Sequence, residues 1–171
     1  ALGEHLARAG FYAAEVNATL RTIACGSSIP APDSGIRIHE LDTGEDDSVY
    51  LETLFDGYGL SSRTASAQRE MMAIEHRSPG LRRYLAYVDD QPAAAAALYT
   101  TPRNAYFAGA ATIPAMRNRG CQSALIRRRL RDATAGQVVV TTAFGSPSQA
   151  NLQRLGFTIE HTRTLWRRLA S

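Results

Sequence analysis

The chain of 171 residues contains no lysine: all nineteen of its basic side chains are arginine. That excludes a lysine nucleophile, a Schiff base and a lysine general base, because arginine stays protonated and takes none of those roles. Cysteine is almost absent as well. Cys25 and Cys121 stand far apart with no CxxC or Cys/His spacing, so neither a disulfide framework nor a metal site is indicated, and reduced thiols are expected. No apolar run approaches the roughly 20 residues that cross a bilayer. The opening Ala-Leu-Gly-Glu-His lacks the basic and apolar segments of a secretory signal. The reading is a cytoplasmic protein with no membrane partner. The first residue is Ala, as in a processed product, a fragment or a longer protein missing its beginning.

Excess charge is also scarce, at a formal net +3. The densest basic run, Arg127-Arg128-Arg129-Leu130-Arg131, falls in a helical pattern whose Ala124, Leu125, Leu130 and Ala133 can face a core. No aromatic residue interleaves with those arginines as a base-stacking surface requires. The run is read as a solvated helix face, and no nucleic-acid partner is expected.

What is present is an ordinary globular composition, 44% apolar and 20% charged, sized for one domain with a short appendage. Residues 26–35, Gly-Ser-Ser-Ile-Pro-Ala-Pro-Asp-Ser-Gly, read as a linker between a helix-strand appendage, 1–25, and a domain, 36–171. Ile36 to Leu41 alternates like a strand, and Asp46 to Tyr58 and Ser66 to His76 have helical character. Leu81 to Val88 and Pro92 to Thr100 flank Asp89-Asp90-Gln91, a hairpin signature, although the second run is rich in alanine, of low strand preference. Strand Asn104 to Ile113, helix Gly120 to Ala135, strand Val138 to Ala143, helix Ser148 to Leu155 and strand Phe157 to Arg168 complete the order β-α-α-β-β-β-α-β-α-β. This predicts a mixed α/β sheet, mostly antiparallel in its first half, with helices on both faces.

A weak repeat aligns residues 5–11, His-Leu-Ala-Arg-Ala-Gly-Phe, on residues 151–157, Asn-Leu-Gln-Arg-Leu-Gly-Phe. Two helix-Gly-strand joints look alike because Gly stops helices. The stronger reading is favoured: residues 1–25 are the tail of a second, mostly absent copy of the domain.

Pro114 ends the strand Tyr106 to Ile113 and cannot donate to a ladder, while Gly109, Ala110 and Ala111 let an extended ligand approach the backbone. Arg117-Asn-Arg-Gly-Cys-Gln122 then leads into a helix, where unpaired amides and the helix dipole converge on a natural diphosphate site; Gly120 permits close approach, and Arg117 and Arg119 add charge. With this setting, residues 36–171 resemble the GNAT superfamily of N-acetyltransferases, whose pyrophosphate loop has the pattern Arg/Gln-x-x-Gly-x-Gly/Ala, and Leu155-Gly156-Phe157 resembles its late Leu-Gly-Phe signature. The resemblance implies a sheet splayed at a cofactor cleft. It also implies acetyl-coenzyme A as donor, held at Ile113, Arg117, Arg119, Gly120, Cys121, Gln122, Ser123 and Asn151. Gln122 departs from the usual small residue.

Direct acyl transfer needs a polarised thioester carbonyl, a neutral amine and a proton for the departing thiolate. The Ile113 amide is the expected donor to the carbonyl. Many members of the family place a Tyr four residues before the Gly of Gly-Phe as the acid; here that position is Leu152. On the same helix Ser148 and Asn151 are polar, and the strand Asn104 to Ile113 holds no Asp, Glu or His. Glu75, Tyr106 and Ser148 are therefore the catalytic candidates. His76, Asp56, Tyr58 and Tyr99 are weighed beside them as surface or core residues. An acyl-cysteine at Cys121 is disfavoured, since no His/Asp partner stands near it. The expected activity is acetyl transfer to a primary amine of a small molecule, without a metal, in a possible homodimer. The alternative is a non-catalytic acyl-coenzyme A-binding module.

Overall fold

Apolar period and turn chemistry divide the described part of the chain into five helices and seven strands. The computed structural model describes residues 1–23, 35–60, 65–134 and 136–169. The elements are α1 (Leu2–Arg8), β1 (Phe11–Ile23), β2 (Ile36–Glu40), α2 (Ser48–Tyr58), α3 (Ser66–His76), β3 (Leu81–Val88), β4 (Gln91–Thr100), β5 (Asn104–Thr112), α4 (Cys121–Asp132), β6 (Gln137–Ala143), α5 (Pro147–Arg154) and β7 (Thr158–Arg168). The mixed, mostly antiparallel α/β class is the one the sequence predicts. Cys25 and residues 26–34 of the expected linker lie outside the described residues.

The chain divides into two units, one of Ile23–Val139 and one of Ala1–Thr22 with Val140–Ser171. In the larger unit β2, β3, β4 and β5 form an antiparallel series in chain order. Asp89 and Asp90 join β3 to β4 with φ of 51° and 59°. Two successive positive φ values give the mirror-image turn whose twist suits a tight hairpin. Every residue from Ala93 to Leu98 is buried, and α2 and α4 both pack on this strand. Packing thus holds a strand that alanine's own preference would not. Tyr50, Leu51, Leu54 and Phe55 of α2 meet Leu85, Ala95 and Leu41 in the core.

The arginine run of α4 is not a solvated face, contrary to the sequence expectation. Arg129 is 2% exposed, lies 4.1 Å from the centre of the Phe107 ring, and donates to the carbonyls of Ala97 and Leu125. Arg128 donates to Glu40 and Asp132, and Arg82 donates to the same two carboxylates at 2.6 and 3.0 Å. Tyr84 also donates to Asp132. Paired carboxylates and guanidiniums satisfy one another, which is how charge is kept half-buried.

In the second unit β1 lies between β6 and β7. It pairs antiparallel with β7 from Phe11 to Arg21. Phe144 N–H donates to Val16 O, and Thr19 faces Thr141, so β6 also runs opposite to β1. The helix-strand reading of residues 1–25 corresponds to α1 and β1.

Candidate functional site

The alternation of β5 breaks at one residue. Ala96 pairs with Ala110 and Ala97 with Ala108, leaving Gly109 as the extra residue of a bulge. A bulge turns backbone groups out of the ladder. The Ala110 N–H instead donates to the Tyr58 hydroxyl at 3.0 Å. Gly is required at the bulge because a Cβ on residue 109 would lie 2.5 Å from His76 Nε2.

His76, the last residue of α3, is 2% exposed, and its Nδ1 lies 2.6 Å from the Tyr50 hydroxyl. Burial pushes the Tyr50 hydroxyl far above its usual range and, helped by the charge of Arg83, pushes His76 down to about 4. Both are neutral at pH 7. A buried Tyr hydroxyl that only accepted would leave its proton unpaired, so Tyr50 donates to Nδ1 and the His76 proton sits on Nε2, beside Gly109. Tyr58 is 45% exposed; burial still raises its pKa, opposed by the Ala110 bond and the charge of Arg129, with Glu75 and Tyr106 close enough to raise it further.

After β5 the chain makes a short 3-10 turn, Pro114–Met116, then passes through Asn118 and Gly120, both left-handed at φ 62° and 85°. Gly120 caps α4 and offers no side chain to the first-turn amides of Cys121, Gln122 and Ser123. The loop is tied down by Arg117, which donates to Thr112 O and Gly57 O at 3.4 Å each, and by Arg119, which donates to Asp89 at 3.2 Å. Gly57 matters for the approach of α2, since a Cβ there would stand 2.5 Å from the Ala111 Cβ.

No protein-family model matches the chain, and no curated protein matches it in sequence. Solved structures do match. A GCN5-related N-acetyltransferase from Sphaerobacter thermophilus aligns at TM-score 0.72 and 17% identity over 96% of this chain and 55% of its own. One from Kribbella flavida aligns at TM-score 0.68 and 16% identity over 99% of this chain and 64% of its own. The fold is that of the GCN5-related N-acetyltransferases. A predicted acetyltransferase with acetyl-CoA from Clostridium acetobutylicum aligns at TM-score 0.52 and 14% identity over 72% of this chain and 90% of its own. The chain spans less than two thirds of the length of the first two structures.

Within this GNAT fold, the larger unit brings Tyr106 and Glu75 around Tyr58, both exposed. Ile113 is a correction. Its amide donates to Ala93 O at 2.9 Å, so it is spent on the β4 edge, and the amide released from the ladder is that of Ala110. Cys121 is 2% exposed and burial raises its thiol pKa, outweighing the lowering expected at a helix start. A protonated, buried thiol is a poor nucleophile. Ser148 and Asn151 lie on α5 in the second unit, where Asn151 accepts from Arg154 and Leu152 is buried. His76, weighed as a surface residue, is buried, and together with Gly109, Ala110 and Tyr58 it was missed as a cluster. The Gly in an otherwise Ala-rich strand was the available signal. Among the described residues no cluster of His, Cys, Asp or Glu could hold a metal.

Proposed function

We propose that this chain transfers an acetyl or other acyl group from acyl-coenzyme A to a primary amine of a small molecule. The observation that carries the reading is the left-handed Gly120 at the start of α4, an N-cap with no side chain to stand between a ligand and the helix amides. Such amides, with the positive end of the helix dipole, suit a diphosphate. Arg119 is half-exposed and held by the exposed Asp89 and the Met116 sulfur, contacts that a phosphate can replace. The named partner of the matched Clostridium acetobutylicum structure supports the same donor.

When bound, coenzyme A supplies the acyl group as an activated thioester. Ala110 N–H is the fixed donor for a developing oxyanion, currently covered by Tyr58. Tyr58 Oη keeps its proton at neutral pH and holds it for a leaving group, while the Glu75 carboxylate accepts a proton from an incoming ammonium. His76 braces the bulge that aims Ala110. Binding is tested by calorimetry with acetyl-coenzyme A, and turnover by thiol release across a panel of amines. Micromolar binding that Gly120→Trp abolishes is expected; absence of binding overturns the reading. Leu152, buried where the resemblance calls for a Tyr, favours a binding module without turnover, and binding without thiol release from any amine would select it.

A further inference from the structure

The repeat between residues 5–11 and 151–157 sets an offset of 146 residues, carrying Phe11 onto Phe157. The second unit obeys that offset in three dimensions. Both joints stop their helix on a left-handed glycine, Gly10 at φ 79° and Gly156 at 87°, and the Gly10 N–H bond to Ala7 O repeats as Gly156 N–H to Gln153 O, each 3.1 Å.

The ladder between β1 and β7 is symmetric under the same offset. It turns the pair Tyr12–Arg167 into Arg21–Thr158, Ala13–Trp166 into Leu20–Ile159, Glu15–Leu165 into Thr19–His161, and Val16–Thr164 into Ala18–Thr162. Asn17–Arg163 maps onto itself and marks the axis. The irregularities match too: Ala14 is skipped on β1 and Glu160 on β7, and the offset carries one onto the other. Any offset returns a regular antiparallel ladder to itself, so it is the matched bulges at Ala14 and Glu160 that tie the ladder to the offset of the repeat. The ribbon has a local two-fold axis.

The surroundings break that symmetry. β1 has β6 on its outer edge, whereas β7 is the end strand among the described residues. Ala18 and Leu20 are fully buried, but their mates Thr164 and Trp166 are exposed and half-buried, and every other side chain of β7 is exposed. A long bare edge is a template for strand addition.

We propose that the open edge of β7 receives a strand equivalent to β6 from a second body of this same fold, making the β1–β7 ribbon the two-fold seam between two such bodies. The axis identifies the occupant, since what covers β1 is β6. The solved structures extend well beyond the region they share with this chain, which leaves length for such a body. The register follows from Phe144 N–H donating to Val16 O and from Thr19 facing Thr141. The incoming strand sets its Phe144 equivalent against Thr162 and its Thr141 equivalent against Leu165. Antiparallel alternation points the amides of Thr162 and Thr164 at it. The inference does not depend on the acyl-transfer reading.

The test appends a second copy of the sequence Gln137–Ser146 after Ser171 through a short Gly-Ser linker. The tail then folds back antiparallel along β7 at high effective concentration. Amide exchange at Thr162 and Thr164 should slow about tenfold or more, as for amides that become ladder bonds, and a scrambled tail should leave it unchanged. Thr162→Pro in the tailed protein should restore fast exchange at Thr164. Equal exchange with the native and scrambled tails overturns the proposal. So does protection of these amides by self-association of the untailed chain, which assigns the edge to the β7 of another copy.

Discussion

In the larger unit Arg129 and His76 are each 2% exposed, whereas in the second unit almost every side chain of β7 faces solvent. The larger unit draws polar groups inside and partners them: Arg129 with backbone carbonyls and the Phe107 face, His76 with Tyr50, Glu40 and Asp132 with Arg82 and Arg128. The second unit holds β7 by a backbone ladder and by solvated pairs such as Arg167–Glu15 at 2.8 Å. Desolvated partners are expensive to separate, and solvated ones are nearly interchangeable with water. Mutational sensitivity should therefore divide along the two units.

The largest effect belongs to Arg129→Ala, which leaves a cavity beside Phe107 and strips carbonyls of their donor. A loss of about 3–5 kcal/mol in urea unfolding is expected. Arg129→Met, which keeps the volume, should lose less; equal losses would mean that charge rather than packing decides. Next comes pH. His76 is pushed down to about 4 in the folded chain, below its unfolded value near 6.5. The unfolded state therefore binds the extra proton between those values. Its contribution is intact above pH 6.5 and is lost as pH falls toward 4, about 3 kcal/mol in all. Urea midpoints at pH 7 and 4.5 read it, and His76→Asn should flatten the slope.

Gly109→Ala drives a methyl into the His76 ring and should lower stability by about 1–3 kcal/mol. It should also slow thiol release more than it weakens coenzyme binding, because it displaces Ala110 rather than Gly120. Kinetics alongside calorimetry separates the two. The smallest effect is expected from Arg167→Ala on the ribbon, within about 0.5 kcal/mol by thermal unfolding. A loss there as large as that at Arg129 would erase the contrast between the units.

Much of the architecture was readable in the sequence because it rests on local rules. Ser66 and His76 bound α3 as predicted, and the hairpin differs from its prediction by the single residue Gln91. The loop at Arg117–Gln122 was legible from Pro114 and Gly120 for the same reason. Burial of polar groups was not. Arg129 and His76 are residue types that usually face water, and only the tertiary arrangement supplies Phe107, Tyr50 and the carbonyls that permit the exception. The bulge at Gly109 depends on registry with β4, which no periodicity within β5 encodes. The sequence alone therefore points to the Ile113 amide, while the registry with β4 leaves the Ala110 amide outside the ladder.

The fastening of α4 has a further consequence. Asp132 and Arg128 clamp its C-terminal end to Arg82 and Glu40, and Arg129 in its last turn bolts it to Ala97 on β4. The amides at its Gly120 end are thereby aimed during folding, not during ligand capture. An anion bound there, as proposed, would meet amides already placed by the fold, so less conformational entropy would be surrendered on docking. Loosening the far end of the helix, with Asp132→Ala for example, would disturb those amides from about three turns away without touching them.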